Sequence, residues 1–240
     1  MTSTSSSPSW QQICAKVKAH RDSTIASVYS QLPPIPTGLP LNVTYIPALI
    51  LTPPEYAITS LPITTLLHYL STRTISSTTV INAYLRCAAL AQELTNCLTE
   101  LLPSRALTRA QWLDNYIAEH GKPVGPLHGL PISAKEHICM EGLECNAGFV
   151  SWVGRKSMDD ALVLKILWDA GAVFYARTTE PQTIVSCSFV CLLWYLAIFR
   201  RRRVGKSLRE RLNSIAKDYS VPTDHNRCTW RPRAIYMALQ

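Results

Sequence analysis

An excess of one charge sign is missing from most of this chain. The formal net charge is +8 over 240 residues, yet residues 1–199 carry thirteen basic and thirteen acidic side chains. Residues 200–240 hold eleven Lys and Arg against three acids, so the imbalance sits in the tail. That distribution excludes a global basic surface for nucleic acid. The eight cysteines, at 14, 87, 97, 139, 145, 187, 191 and 228, include no C-x-x-C pair and no histidine partner at metal-ligand spacing. No basic-then-apolar start precedes them; the N-terminus is Ser/Thr-rich, so reduced thiols in a cytoplasmic protein are expected. Without an export signal, Asn42-Val43-Thr44 reads as a chance glycosylation pattern. The longest uncharged apolar run, residues 184–199, is about sixteen residues, short of the ~20 needed to span a bilayer. Glycine becomes scarce late: after Gly171 only Gly205 remains.

What is present reads as alternating helices and strands. Residues 1–9 are low-complexity and expected to be disordered. Ile13, Val17, Ile25 and Val28 space a helix over Trp10 to Tyr29. The proline-rich stretch 33–54 is expected to be an extended arm lying over the domain, held by Leu39, Leu41, Val43, Ile46, Leu49, Ile50 and Leu51. Ser60 is expected to cap a helix through Tyr69, and Ser76 or Ser77 to start a longer one. There Val80, Ile81, Tyr84, Leu85, Ala88 and Ala89 form a core-facing stripe. Residues 96–101 suggest a strand. Ser104 is expected to cap a helix ending at His120, with Gly121 just beyond it. Ser157 to Asp160 has the form of a capping box before a helix that stops short of Gly171, and Val173 to Ala176 follows as a strand.

The chain is organised around residues 125–135. Gly125, Pro126 and Gly129 read as an irregular turn, Leu130 to Ala134 as a short buried strand, and Lys135 as its end. Strand ends facing loops are where α/β proteins place their chemistry. A lysine desolvated there gives up its proton more readily and can activate a hydroxyl nucleophile. Ser133 lies two residues away and shares the face of Lys135, which makes it a bare candidate nucleophile. His128 and His137 flank the strand; no carboxylate or cysteine completes a recognisable metal spacing, so turn and surface roles are expected.

Residues 125–137, then Gly142-Leu143 and 147–154, closely resemble the lysine-bearing segment of the amidase signature family, particularly its fungal acetamidase-like members. The resemblance runs from about Trp10 to Gln182, through residues 94–100, 160–162 and 171–173, to Thr178-Thr179-Glu180-Pro181-Gln182-Thr183. One departure is Glu136, where the family usually has aspartate. The resemblance implies an α/β fold, a mixed sheet covered by helices, and hydrolysis of carboxylic amides by a Ser–cis-Ser–Lys triad without metal or organic cofactor. Lys135 matches the triad lysine, and Ser133 matches a serine that is not the nucleophile. The substrate implied is a small amide. Strand, helix, strand around residues 130–176 is a βαβ unit whose right-handed crossover would make the strands parallel and bring Arg177 and Thr178 to the edge holding Lys135.

The serines of that triad belong to a Gly/Ser-rich loop, and no such run follows Gln182. The fold is therefore expected to be incomplete after residue 183. Residues 10–183 read as the N-terminal portion of an amidase domain, 184–199 as an apolar segment, and 200–240 as a basic tail foreign to the fold. Three readings of 184–240 compete: sequence translated outside the family's frame or from a retained intron, a membrane anchor with a basic flank, and core structure of the domain. The first is preferred. Under it the chain is inactive as written; the alternative is a non-catalytic membrane-tethered or binding protein.

Overall fold

The computed structural model describes residues 8–30, 32–39 and 42–180. Residues 1–7 and 181–240 lie outside it, and with them the expectations about the N-terminal disorder, the apolar segment and the basic tail. Among the described residues no helix is long and apolar enough to cross a membrane.

Helix α1, Trp10–Tyr29, starts at Ser9 with a reciprocal box: the Ser9 hydroxyl accepts from the Gln12 amide, and the Gln12 side chain accepts from the Ser9 amide. Residues 33–54 differ from the expected extended arm. They contain α2, Ile46–Ile50, and the start of α3, Pro53–Thr59. Prolines cause this rather than prevent it, because Pro47 and Pro53 occupy first-turn positions where no amide donor is needed. The arm does lie over the domain, since Ile46, Ile50 and Leu51 pack against Leu90 and Leu94. Ser60 ends α3 instead of starting the next helix, and α4, Ile63–Ser71, begins behind Pro62.

Helix α5, Ser77–Thr95, is the central pillar. Ser76 accepts from the Thr79 amide, and Asp114 caps the same end by accepting from the Ser77 and Thr78 amides at 2.7 and 3.0 Å. Val80, Ile81, Leu85, Ala88 and Ala89 are buried, which fits the stripe. Each large aliphatic side chain removed from water this way contributes roughly 1.5–3 kcal/mol. Asn96 stops the helix in the left-handed region, and β1, Leu98–Leu101, follows. Helix α6, Pro103–His120, starts behind Leu102 with proline in its first turn, so Ser104 is inside the helix and is not its cap. Gly121, with φ +67°, closes it.

Strand β2, Pro131–Lys135, is followed by an irregular segment, helix α7, Leu162–Asp169, and strand β3, Val173–Thr178. The expected capping box at 157–160 does not form. Ser157 donates to the Asp159 carbonyl, and Asp160 accepts from the Glu141 amide, so α7 begins two residues beyond it. The sheet order is β1-β3-β2, with β3 antiparallel to β1 and parallel to β2. That is the mixed sheet and the parallel βαβ pairing expected from the sequence. The main core lies between this sheet and helices α1, α5 and α6, with Ile81, Leu101, Ala110, Leu113, Val173 and Ala176 inside it.

Candidate active site

The turn before β2 docks on the turn before β3. Leu127 donates to the Ala170 carbonyl and Gly129 to the Gly171 carbonyl, both at 2.9 Å. Gly129 has φ +76°, and a Cβ there would sit 2.5 Å from the Ser77 hydroxyl. Gly171 has φ +99°, and its Cβ would sit 2.8 Å from the His128 Cα. Only glycine permits both the left-handed conformation and the approach. His128 is buried inside this turn, where its Nδ1 accepts from the Val124 amide at 3.2 Å. Burial holds its imidazole below the ordinary range, so it is a neutral structural group in a turn.

From this anchor β2 runs beside β3 in the register Ala134–Arg177 and Lys135–Thr178, after an irregularity between Ile132 and Ser133. Ala134 points into the core, while Ser133 and Lys135 share the exposed face. The apolar cover expected to desolvate Lys135 is not supplied by the described residues: alternation turns its side chain away from the core that buries Ala134. The Tyr175 phenol of the adjacent strand is pushed up mainly by burial and then by neighbouring Cys87, Tyr84 and Cys97, with Ser133 acting the other way.

Directly behind Lys135 lies a charge cluster with no counterpart in the expectations from sequence. Arg177 is 1% exposed and Glu136 3%. Arg177 donates to the Glu100 carboxylate at 2.7 Å, to the Glu144 carbonyl at 2.6 Å, and to the Glu136 carbonyl. The Glu136 carboxylate lies 3.5 Å from the same guanidinium and accepts from the Asn146 and Ala147 amides at 2.7 and 2.9 Å. Burial pushes the Glu136 carboxyl up, against these hydrogen bonds and Arg177, which pull it down. His20 of α1 reaches Glu100 at 2.9 Å, and His137 pairs with Glu180. One guanidinium thus ties the residue following Lys135 to β1 and to the loop at 144–147. The sequence signal available was Arg177 directly after the run Val173 to Ala176.

Among the described residues no group of three or more His, Cys, Asp or Glu side chains is arranged to hold a metal. His128 and His137 do not form a pair for one; each has a separate partner. The Gly/Ser-rich serine loop that Lys135 would serve is not among the described residues.

The fold and site define a class: an α/β protein with a mixed sheet, helices packed on it, and a lysine presented at a strand end behind a glycine-pinned turn. The comparisons make the class specific. The amidase family model matches residues 79–190. The chain is similar to an acetamidase of Emericella nidulans, 42% identical over 141 residues, covering 59% of this chain and 26% of that protein. It is also similar to an amidase of Gibberella moniliformis, 37% identical over 187 residues, covering 74% of this chain and 35% of that protein. Among solved structures, fatty acid amide hydrolase superposes with a TM-score of 0.66 at 35% identity, covering 72% of this chain and 32% of that one. Residues 79–190 carry the amidase family's sequence, and the similarity to amidases supports reading the chain as the N-terminal portion of an amidase signature protein. It spans about a third or less of the length of these curated relatives.

Proposed function

We propose that this chain carries the lysine-bearing part of an amide-hydrolysing site, with Lys135 as the residue that takes the nucleophile's proton through a bridging serine. The observation supporting this reading is the position of Lys135: exposed, at the C-terminal end of β2, and fixed from behind by the Glu100–Arg177–Glu136 cluster. In the proposed reaction a serine from the Gly/Ser-rich loop attacks the carbonyl carbon of a small carboxylic amide. Backbone amides of that loop hold the oxyanion, ammonia or an amine leaves with the relayed proton, and water cleaves the acyl-enzyme. Neither serine of the triad is found in the 240-residue sequence after Gln182.

The 240-residue chain by itself therefore does not hydrolyse amides, since loss of triad members costs several orders of magnitude in rate. Purified chain and its Lys135→Ala variant are assayed side by side with acetamide and benzamide. The expected result is release of ammonia no faster than in buffer for both proteins. Turnover by the chain that Lys135→Ala abolishes would overturn this part of the reading and require a nucleophile within the sequence as it stands.

A further inference from the structure

The segment from the end of β2 through the 144–147 loop contains two cysteines that none of the chemistry above uses. Cys139 and Cys145 bring their sulfurs to 2.8 Å, and both thiols donate toward the same carbonyl, that of His137, at 3.9 and 3.4 Å. Their backbones are pinned independently. The Cys139 carbonyl accepts from the Ala161 amide and the Cys145 amide donates to the Arg155 carbonyl, each at 2.9 Å. Between them, Gly142 and Leu143 bond to Ser157, and on the far side Glu136 grips Asn146 and Ala147. Two thiols held this close from opposite ends of a fastened loop are placed to join.

We propose that Cys139 and Cys145 form a reversible oxidation site, closed to an intramolecular disulfide by peroxide-class oxidants, which fastens the turn that follows Lys135. Either sulfur can react first, since each has the other 2.8 Å away to close the bridge, and the balance is the same from both ends. The Cys139 sulfur attacks one oxygen of hydrogen peroxide and the O–O bond breaks. The departing hydroxide takes a proton to give water and leaves a sulfenic acid. The Cys145 sulfur then attacks the Cys139 sulfur, the S–O bond breaks, and hydroxide leaves with the Cys145 proton as a second water. Two thiols lose two electrons and two protons, and one peroxide becomes two waters. A dithiol such as dithiothreitol reverses the bond.

The test treats the full chain with stoichiometric hydrogen peroxide, blocks remaining thiols by alkylation, and maps peptides by mass. The expected result is one internal bridge, a mass lower by about 2 Da before alkylation, and two of the eight cysteines protected. The bridged peptide contains Cys139 and Cys145, and dithiothreitol restores both thiols. Hydrogen exchange of the 142–147 amides slows on oxidation and recovers on reduction. Neither Cys139→Ser nor Cys145→Ser forms a bridge at the same dose; the remaining thiol of each goes no further than a sulfenic acid, which dithiothreitol reduces. A bridge to any other cysteine, sulfinic acid at either position, no reaction, or unchanged exchange after oxidation would each overturn the proposal. The wild-type map decides the bridge even where a serine variant folds poorly.

Discussion

Replacing Arg177 by methionine removes the cation of the buried cluster while keeping most of the side-chain volume. Arg177 is 1% exposed, Glu136 3% and Glu100 6%, so water does not take over the two carboxylates. The Glu100 carboxylate loses a 2.7 Å bond, and the Glu136 and Glu144 carbonyls lose their guanidinium donors. Breaking one side of a buried ion pair costs about 3–5 kcal/mol. The lost carbonyl donors belong to the same network and are not added to that figure. For a domain of this size, each kcal/mol shifts the melting midpoint by about 2–4 °C, so the expected drop is roughly 6–20 °C. His20, whose Nε2 lies 2.9 Å from the Glu100 carboxylate, offsets part of that loss when it carries a charge. Protonation of the stranded carboxylates relieves the cost, so the gap between wild type and Arg177→Met narrows as pH falls. Urea titrations of both proteins at several pH values measure it. Arg177→Lys keeps a charge without the planar fork and should fall between the two. A loss below about 1 kcal/mol for Arg177→Met, independent of pH, would refute the assignment of Arg177 as the fastening residue.

Other perturbations have equally definite signs. Because burial raises the Glu136 carboxyl, the folded state holds its proton more tightly than the unfolded chain, and stability declines as pH rises from the ordinary carboxylate range through the raised value; Glu136→Gln should flatten that decline in pH-dependent urea midpoints. Gly129→Ala places a Cβ 2.5 Å from the Ser77 hydroxyl and 2.9 Å from Leu70 at φ +76°; thermal melts should show a loss of about 1–3 kcal/mol. Lys135→Ala removes an exposed side chain and should change the unfolding free energy from urea titration by no more than about 0.5 kcal/mol. Leu113→Ala, at a fully enclosed core position, should cost about 2–5 kcal/mol in the same titration.

The elements legible in the sequence are those with long periodic stripes or a dedicated terminator. Helix α5 announces itself through Ile81, Leu85 and Ala88, and α6 ends where Gly121 adopts φ +67°. The parallel pairing of β2 with β3 followed from strand, helix, strand order and chain handedness. Starts that depended on choosing among neighbouring polar residues were misplaced. Ser60, Ser104 and Ser157 all looked like caps, but prolines or distant partners decided the boundaries. Asp114, which caps α5 from 36–37 residues away, has no local signal at all. Lys135 was legible by resemblance and by its place after an apolar run, whereas its surroundings were not. Exposure of one strand face and the convergence of Glu100, Glu136 and Arg177 arise from three strand ends meeting, a consequence of register that spacing along one strand does not contain.

The most direct measurement supplies the missing serines. A polypeptide continuing residues 1–182 into the rest of the Emericella nidulans acetamidase, beyond the matched 141 residues, is assayed for acetamide hydrolysis beside its Lys135→Ala counterpart, with folding of both checked by circular dichroism. Hydrolysis that falls by several orders of magnitude when Lys135 is lost is the expected result. Equal hydrolysis by two folded proteins would contradict the role given to Lys135.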